Sequence, residues 1–198
     1  MAVARRVGKL SIDTTAFLLC DVQVKFGPSI SYFSEICKIA QRLSVASQKL
    51  DIPLVVTEHY PRGLGPIVPE IDTSHGAVFP KTQFSMMLPE VMEHLKEVRP
   101  NLKSVVLYGI ETQMCIQQTA LDFLEQDYDV HVIADATSSR VNTERLLSFE
   151  RMRQSGAFIT TSESLLFQLL RDASHPLFRE VQKLVMQSAP HTALTHQA

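Results

Sequence analysis

Short apolar runs alternating with amphipathic stretches predict an α/β fold: one doubly wound domain with a central, mostly parallel sheet of about six strands and helices on both faces. Three observations predict it. The runs AFLLC (16–20), PLVVT (53–57), SVVLYG (104–109), DVHVIA (129–134) and GAFITT (156–161) are short, rich in Val and Ile, and mostly not alternating. That is the pattern of strands buried on both faces. Between them apolar residues recur at helical spacing, and a long Gly- and Pro-containing segment leaves the end of the second run.

The helical stretches follow in order. Ile36, Ile39, Ala40, Leu43 and Leu50 mark the first, and Val91, Leu95 and Val98 mark another behind Pro89, a residue that suits a first helical turn. Ile116, Ala120, Phe123 and Leu124 mark a third. Thr160 and Glu163 have the spacing of a capping box for the apolar run that ends near Leu170. The segment EHYPRGLGPIVPEIDTSHG (58–76) is too long for an ordinary connection and is read as a functional or a mobile loop. It leaves the C-terminal end of PLVVT, the edge at which open parallel sheets bind ligands.

Composition excludes several classes of function. The chain has 198 residues, 45% hydrophobic and 20% charged, with a net charge of -2. A single domain of this size buries roughly 70% of its unfolded surface without disulfide or metal. Lys and Arg are scattered, which gives no electrostatic footprint for nucleic acid. No run reaches the roughly 18 apolar residues of a membrane span, and no apolar signal segment is read at the N-terminus. The expected location is cytoplasmic. Arg5, Arg6 and Lys9 in an acid-free start leave a mitochondrial alternative, and a nuclear location is a further one. Residues 1–13 are read as an N-terminal arm, 14–188 as the domain, and 189–198 as a loose tail.

The three cysteines lack paired spacing, so neither a disulfide framework nor a zinc motif is available. Cys20, inside AFLLC, and Cys37, on a helix face, read as small core residues. Cys115 differs, because it lies where SVVLYG gives way to a helix. Asp21 directly follows AFLLC, and Lys81 follows the short run GAVFP. Taken singly, Asp21 reads as a turn residue, Lys81 as a surface lysine, and Cys115 equally as packing or as a reactive thiol. If the strands are neighbours, the three converge on one crevice as base, ammonium and nucleophile. The helix start at Cys115 would add N–H groups for an oxyanion.

These residues also carry a family resemblance. Asp21, Gln23 and Phe26 form D-x-Q-x-x-F, Lys81 follows, and Gly109, Ile110, Thr112, Cys115, Thr119 and Ala120 form G-I-x-T-x-x-C-x-x-x-T-A. From about residue 14 to about residue 175 the chain resembles the isochorismatase-like hydrolase superfamily, which includes nicotinamidases, N-carbamoylsarcosine amidases and isochorismatases. TEHYPRGLGPIVPE and RMRQSGAFITTSE resemble its eukaryotic isochorismatase domain-containing members.

The resemblance implies a catalytic triad of Asp21, Lys81 and Cys115, a cis peptide between Ile110 and Glu111, and an oxyanion hole from the N–H groups of Glu111 and Cys115. Gln23, Phe26, His59 and Tyr60 are the expected substrate contacts. Nicotinamidases carry a metal-binding D-x-H with a further histidine after the second strand; here that place holds Thr57, Glu58, His59 and Tyr60, with His75 distant. No metal and no cofactor are therefore expected. Retention of Cys115 favours a small amide or related C–N or ester-like substrate through a thioester. The alternatives are a vinyl-ether hydrolase using Asp21 alone, and a non-catalytic interaction or regulatory protein. Expected partners are a small-molecule substrate, no nucleic acid and no membrane, with homo-oligomerisation and a possible protein partner.

Overall fold

The computed structural model describes residues 7–186. Its single sheet has six strands, all parallel, in the order β3-β2-β1-β4-β5-β6. They are β1 (Thr15–Cys20), β2 (Leu54–His59), β3 (Ala77–Lys81), β4 (Ser104–Gly109), β5 (Asp129–Thr137) and β6 (Phe158–Thr160). The predicted doubly wound α/β architecture is thus present, with the reversal of strand order between β1 and β4.

The apolar runs are continuous because both faces of the sheet are covered. On β1, Phe17 and Leu19 enter one core with Ile39, Leu43, Leu165 and Leu169; Ala16, Leu18 and Cys20 enter the other with Leu95, Ile116, Phe123 and Met152. The first core lies under α1 (Phe33–Lys49), α6 (Ser162–Leu170) and α7 (Phe178–Met186). The second lies under α3 (Pro89–Val98), α4 (Gln117–Glu125) and α5 (Asn142–Gln154), while α2 (Pro61–Leu64) is a short turn after β2.

Several boundaries differ from the sequence reading. β5 continues to Thr137, because its pairing with β4 slips: Leu107 opposes Val132, but Gly109 opposes Thr137. α6 is capped by Thr161, whose hydroxyl accepts from the N–H of Ser164, rather than by Thr160. The segment after β2 is tied to the chain that follows β1. Gln23 and Ile67 form an antiparallel bridge, Val24 N–H donates to Pro66 O, and Val68 N–H donates to Val22 O.

Within the N-terminal segment, Leu10 is buried and Gly8 packs under the Phe158 ring. Arg5, Arg6 and the 189–198 tail lie outside the described residues. Among the described residues, no helix is long and apolar enough to cross a membrane.

Candidate active site

Four strand ends build the site. β1 stops at Cys20 and delivers Asp21, whose φ of 53° lies in the left-handed region that Asp tolerates better than most residues. β3 ends at Lys81, and β4 ends at Gly109 before a single π-helical turn, Thr112–Ile116, that carries Cys115. β2 separates β3 from β1 and contributes Thr57. Gly109, at φ 124°, allows β4 to pass close to β1: a Cβ there would fall 2.1 Å from the Cys20 carbonyl oxygen.

The three residues expected to converge do so. Lys81 Nζ donates to Asp21 Oδ2 at 2.6 Å and lies 3.5 Å from Cys115 Sγ. It also donates to the carbonyls of Phe84 (2.9 Å) and Gln83 (3.3 Å), so backbone holds the ammonium between acid and thiol. The other carboxylate oxygen, Oδ1, accepts from the Thr57 hydroxyl at 2.7 Å. All of these side chains are buried. Burial alone would lower the pKa of Lys81, but Cys20, Asp21 and Cys115 outweigh it, and the ammonium is held above its usual value.

Around Cys115 the backbone is tied down on both sides. Its carbonyl accepts from the Thr119 hydroxyl at 2.6 Å, and Thr119 Oγ1 in turn accepts from Met86 N–H at 2.9 Å. The Ile110–Glu111 peptide is cis. Glu111 Oε2 accepts from Arg140 Nε and Arg140 N–H, both at 3.2 Å, and from Gln113 Nε2 at 3.1 Å.

The expected substrate contacts divide. The Gln23 side chain is committed to backbone: its Nε2 donates to His59 O and Gly65 O, and its Oε1 accepts from His59 N–H. It is fully buried and ties the β2 exit to the chain that follows β1. His59 is half-buried and stacks on Phe84 with centroids 5.8 Å apart. Burial first, and then the Lys81 charge, lower its pKa. Phe26 is half-buried in the turn Val24–Phe26, whereas Tyr60 is 54% exposed with its ring over Gly63.

Sequence reasoning misses Thr57 and Cys20. Thr57 lies near the end of the strand PLVVT, and the logic that singles out Asp21 applies to it equally. Cys20 is fully buried, as a core residue should be, yet its thiol donates to Asp21 Oδ2 at 3.4 Å. It is therefore part of the site as well as part of the core.

Cys20, Asp21 and Cys115 offer donor atoms that all lie within 4.8 Å of one another. They do not fit a metal ion, because the Lys81 ammonium already pairs with Asp21 and touches Cys115. Nor can His59 and His75 act together: His59 is the register partner of Lys81 at the C-terminal end of β3, whereas His75 precedes that strand and bonds Ser47. Five residues of strand separate them by roughly 16 Å.

Residues 15–164 match the isochorismatase domain. The chain is 53% identical over 194 residues to isochorismatase domain-containing protein 2 of Xenopus laevis, covering 98% of this chain and 94% of that one. It is 46% identical over 195 residues to the Homo sapiens protein of the same name, covering 98% and 94%. Among solved structures, one described as MAR1 ribonuclease from Caenorhabditis elegans superposes with a TM-score of 0.89 at 41% identity, over 96% of this chain and 98% of that one. A domain match over most of the length, relatives at this identity, and an Asp, Lys and Cys gathered at the parallel-strand ends lead to one conclusion: the chain belongs to the isochorismatase-like hydrolase family.

Proposed function

We propose that the protein is a cysteine hydrolase of a small amide or a related C–N or ester-like bond, acting through a thioester on Cys115. The observation that carries this reading is the Lys81 ammonium held between Asp21 Oδ2 and Cys115 Sγ. An ammonium against a thiol favours the thiolate, and a carboxylate beside it can take the thiol proton. The thiolate attacks the carbonyl carbon, and the N–H groups of Glu111 and Cys115 receive the oxyanion. Asp21 returns the proton to the leaving amine as the C–N bond breaks. Water, deprotonated by Asp21, then cleaves the thioester and restores the thiol. Phe26, His59 and Tyr60 form the substrate walls in this reading.

Cys115→Ala tests it. Against a panel of small amides, the variant should lose all turnover while melting like the parent, and the parent should show a trapped acyl adduct by intact mass. Turnover that survives in the variant supports the Asp21-only vinyl-ether reading and ends the covalent one. Binding of a protein partner that is unchanged after loss of Asp21, Lys81 and Cys115 would favour a non-catalytic role.

The C. elegans relative's description as a ribonuclease supports a second reading, hydrolysis of RNA. A net charge of -2 with scattered basic residues weighs against it. Incubation with single-stranded and double-stranded RNA, with Cys115→Ala as control, separates the two. Homo-oligomerisation belongs to the same proposal and is read by light scattering.

A further inference from the structure

Cys20 has no role in the hydrolytic cycle, yet its sulfur lies within 4.8 Å of the Cys115 sulfur. The two arrive from adjacent strands. Cys20 closes β1 opposite Gly109, and the turn carrying Cys115 begins just after Gly109, so both thiols enter the same core layer. A disulfide needs sulfurs about 2 Å apart. Closing the bond therefore requires the two side chains to rotate toward one another from a separation of no more than 4.8 Å. Cys37 lies in the opposite core, under α1.

We propose that Cys20 and Cys115 form a peroxide-sensitive thiol pair, in which Cys115 is oxidised first and Cys20 then closes a reversible disulfide that silences the site. The proposal rests on the reading of Cys115 as a reactive thiol. Burial fixes the order of events. Cys115 keeps 6% of its surface accessible and Cys20 none, so a reagent in the crevice meets Cys115. Burial, then the hydrogen bond with Cys115, then the Asp21 charge push the Cys20 thiol well above its usual range, so it stays protonated and unreactive toward peroxide itself.

The chemistry balances with a hydroperoxide as oxidant. The Cys115 thiolate attacks one peroxide oxygen; the O–O bond breaks, the sulfur becomes a sulfenic acid, and the alkoxide leaves as alcohol after taking a proton. Cys20 then passes its proton to Asp21 Oδ2, 3.4 Å away, and its sulfur attacks the Cys115 sulfur. The S–O bond breaks, and hydroxide leaves as water with the proton from Asp21. Two thiols and one peroxide yield one disulfide, one alcohol and one water. A thiol reductant reverses the bond. Without Cys20, the sulfenic acid would persist and pass to sulfinic acid, which such reductants do not recover.

The test uses the full chain, hydrogen peroxide and a sulfenic-acid trap such as dimedone, read by intact mass and peptide mapping without any substrate. The parent should lose one pair of hydrogen atoms and show a Cys20–Cys115 cross-linked peptide, abolished by dithiothreitol. Cys20→Ala, checked for folding by its melting curve, should instead accumulate dimedone or added oxygen on Cys115. Two results overturn the proposal, and they are distinguishable. Dimedone on Cys115 of the parent at the same level as in Cys20→Ala, with no cross-link, leaves the thiol reactive but denies the pair. No modification of Cys115 in either protein denies the reactive thiol as well. Because the cross-link is sought in the parent, its presence or absence decides the matter even if the variant fails to fold.

Discussion

The hydroxyl of Thr57 donates to Asp21 Oδ1 at 2.7 Å from the end of the neighbouring strand, while Lys81 holds the other carboxylate oxygen. A buried carboxylate bound at both oxygens has one orientation, and that orientation turns Oδ2 toward the two thiols. Thr57 is thus a positioning residue. Thr57→Val keeps the β-branched shape at a fully buried position and removes the donor. A hydrogen bond to a charged group contributes about 1.5 to 3 kcal/mol, so kcat should fall by roughly tenfold to a hundredfold with KM little changed. Thr57→Ser should restore most of it. A rise in KM alone, or equal loss in Thr57→Ser, would contradict the role.

Lys81 and Asp21 are both almost completely buried, which makes their pair a structural commitment as well as a chemical one. Lys81→Met removes the charge and strands a carboxylate in the core, a change that destabilises by about 3 to 5 kcal/mol. Alkylation of Cys115 at a fixed pH should also slow, because the ammonium 3.5 Å from its sulfur is gone. Denaturant melts and iodoacetamide labelling measure the two effects. Lys81→Met combined with Asp21→Asn should recover part of the stability but none of the reactivity. Equal stability of the single and double variants would show that the stranded charge is not the cause.

Much of this site is legible because the chain uses one rule repeatedly: an apolar strand ends, and a polar residue follows at the C-terminal edge. Asp21, Lys81 and Cys115 all obey it. What is not legible depends on which strands are neighbours. Cys20 looks like core from AFLLC alone, and it is core; that it also meets Asp21 and Cys115 follows from β1 lying beside β4, a pairing across about ninety residues that no local pattern encodes. Glu111 and Arg140 likewise meet from 29 positions apart. α7, Phe178–Met186, carries a helical signal of its own, since Phe178, Val181, Leu184 and Val185 recur at helical spacing and pack on the first core, but it lies beyond the last apolar run read as an element.

Removal of metal should change nothing. The Lys81 ammonium pairs with Asp21 and touches Cys115, and His59 lies beside the C-terminal end of β3 whereas His75 precedes its start. Prolonged dialysis against a chelator should leave melting temperature and turnover as they were. Stoichiometric zinc or iron by elemental analysis, lost together with activity, would show a ligand set built from other residues.

Acid should destabilise the fold through His131, which is buried and stacks on Phe158 with centroids 4.9 Å apart. Burial lowers its pKa to about 4. An unfolded histidine titrates near 6.5, so between these values the unfolded chain binds a proton that the folded chain refuses. The stabilising contribution is therefore fully present above about pH 6.5 and is lost as pH falls toward about 4, the loss reaching about 3 kcal/mol at the bottom of that window. Urea melts at pH 7.5 and pH 5 span roughly 1.5 pH units of it, so His131 should account for about 2 kcal/mol of their difference, on top of whatever the carboxylates contribute. In His131→Phe, which preserves the aromatic contact and cannot titrate, the gap between the two pH values should shrink by most of that amount. An unchanged gap would mean that His131 gains a proton without opening the sheet.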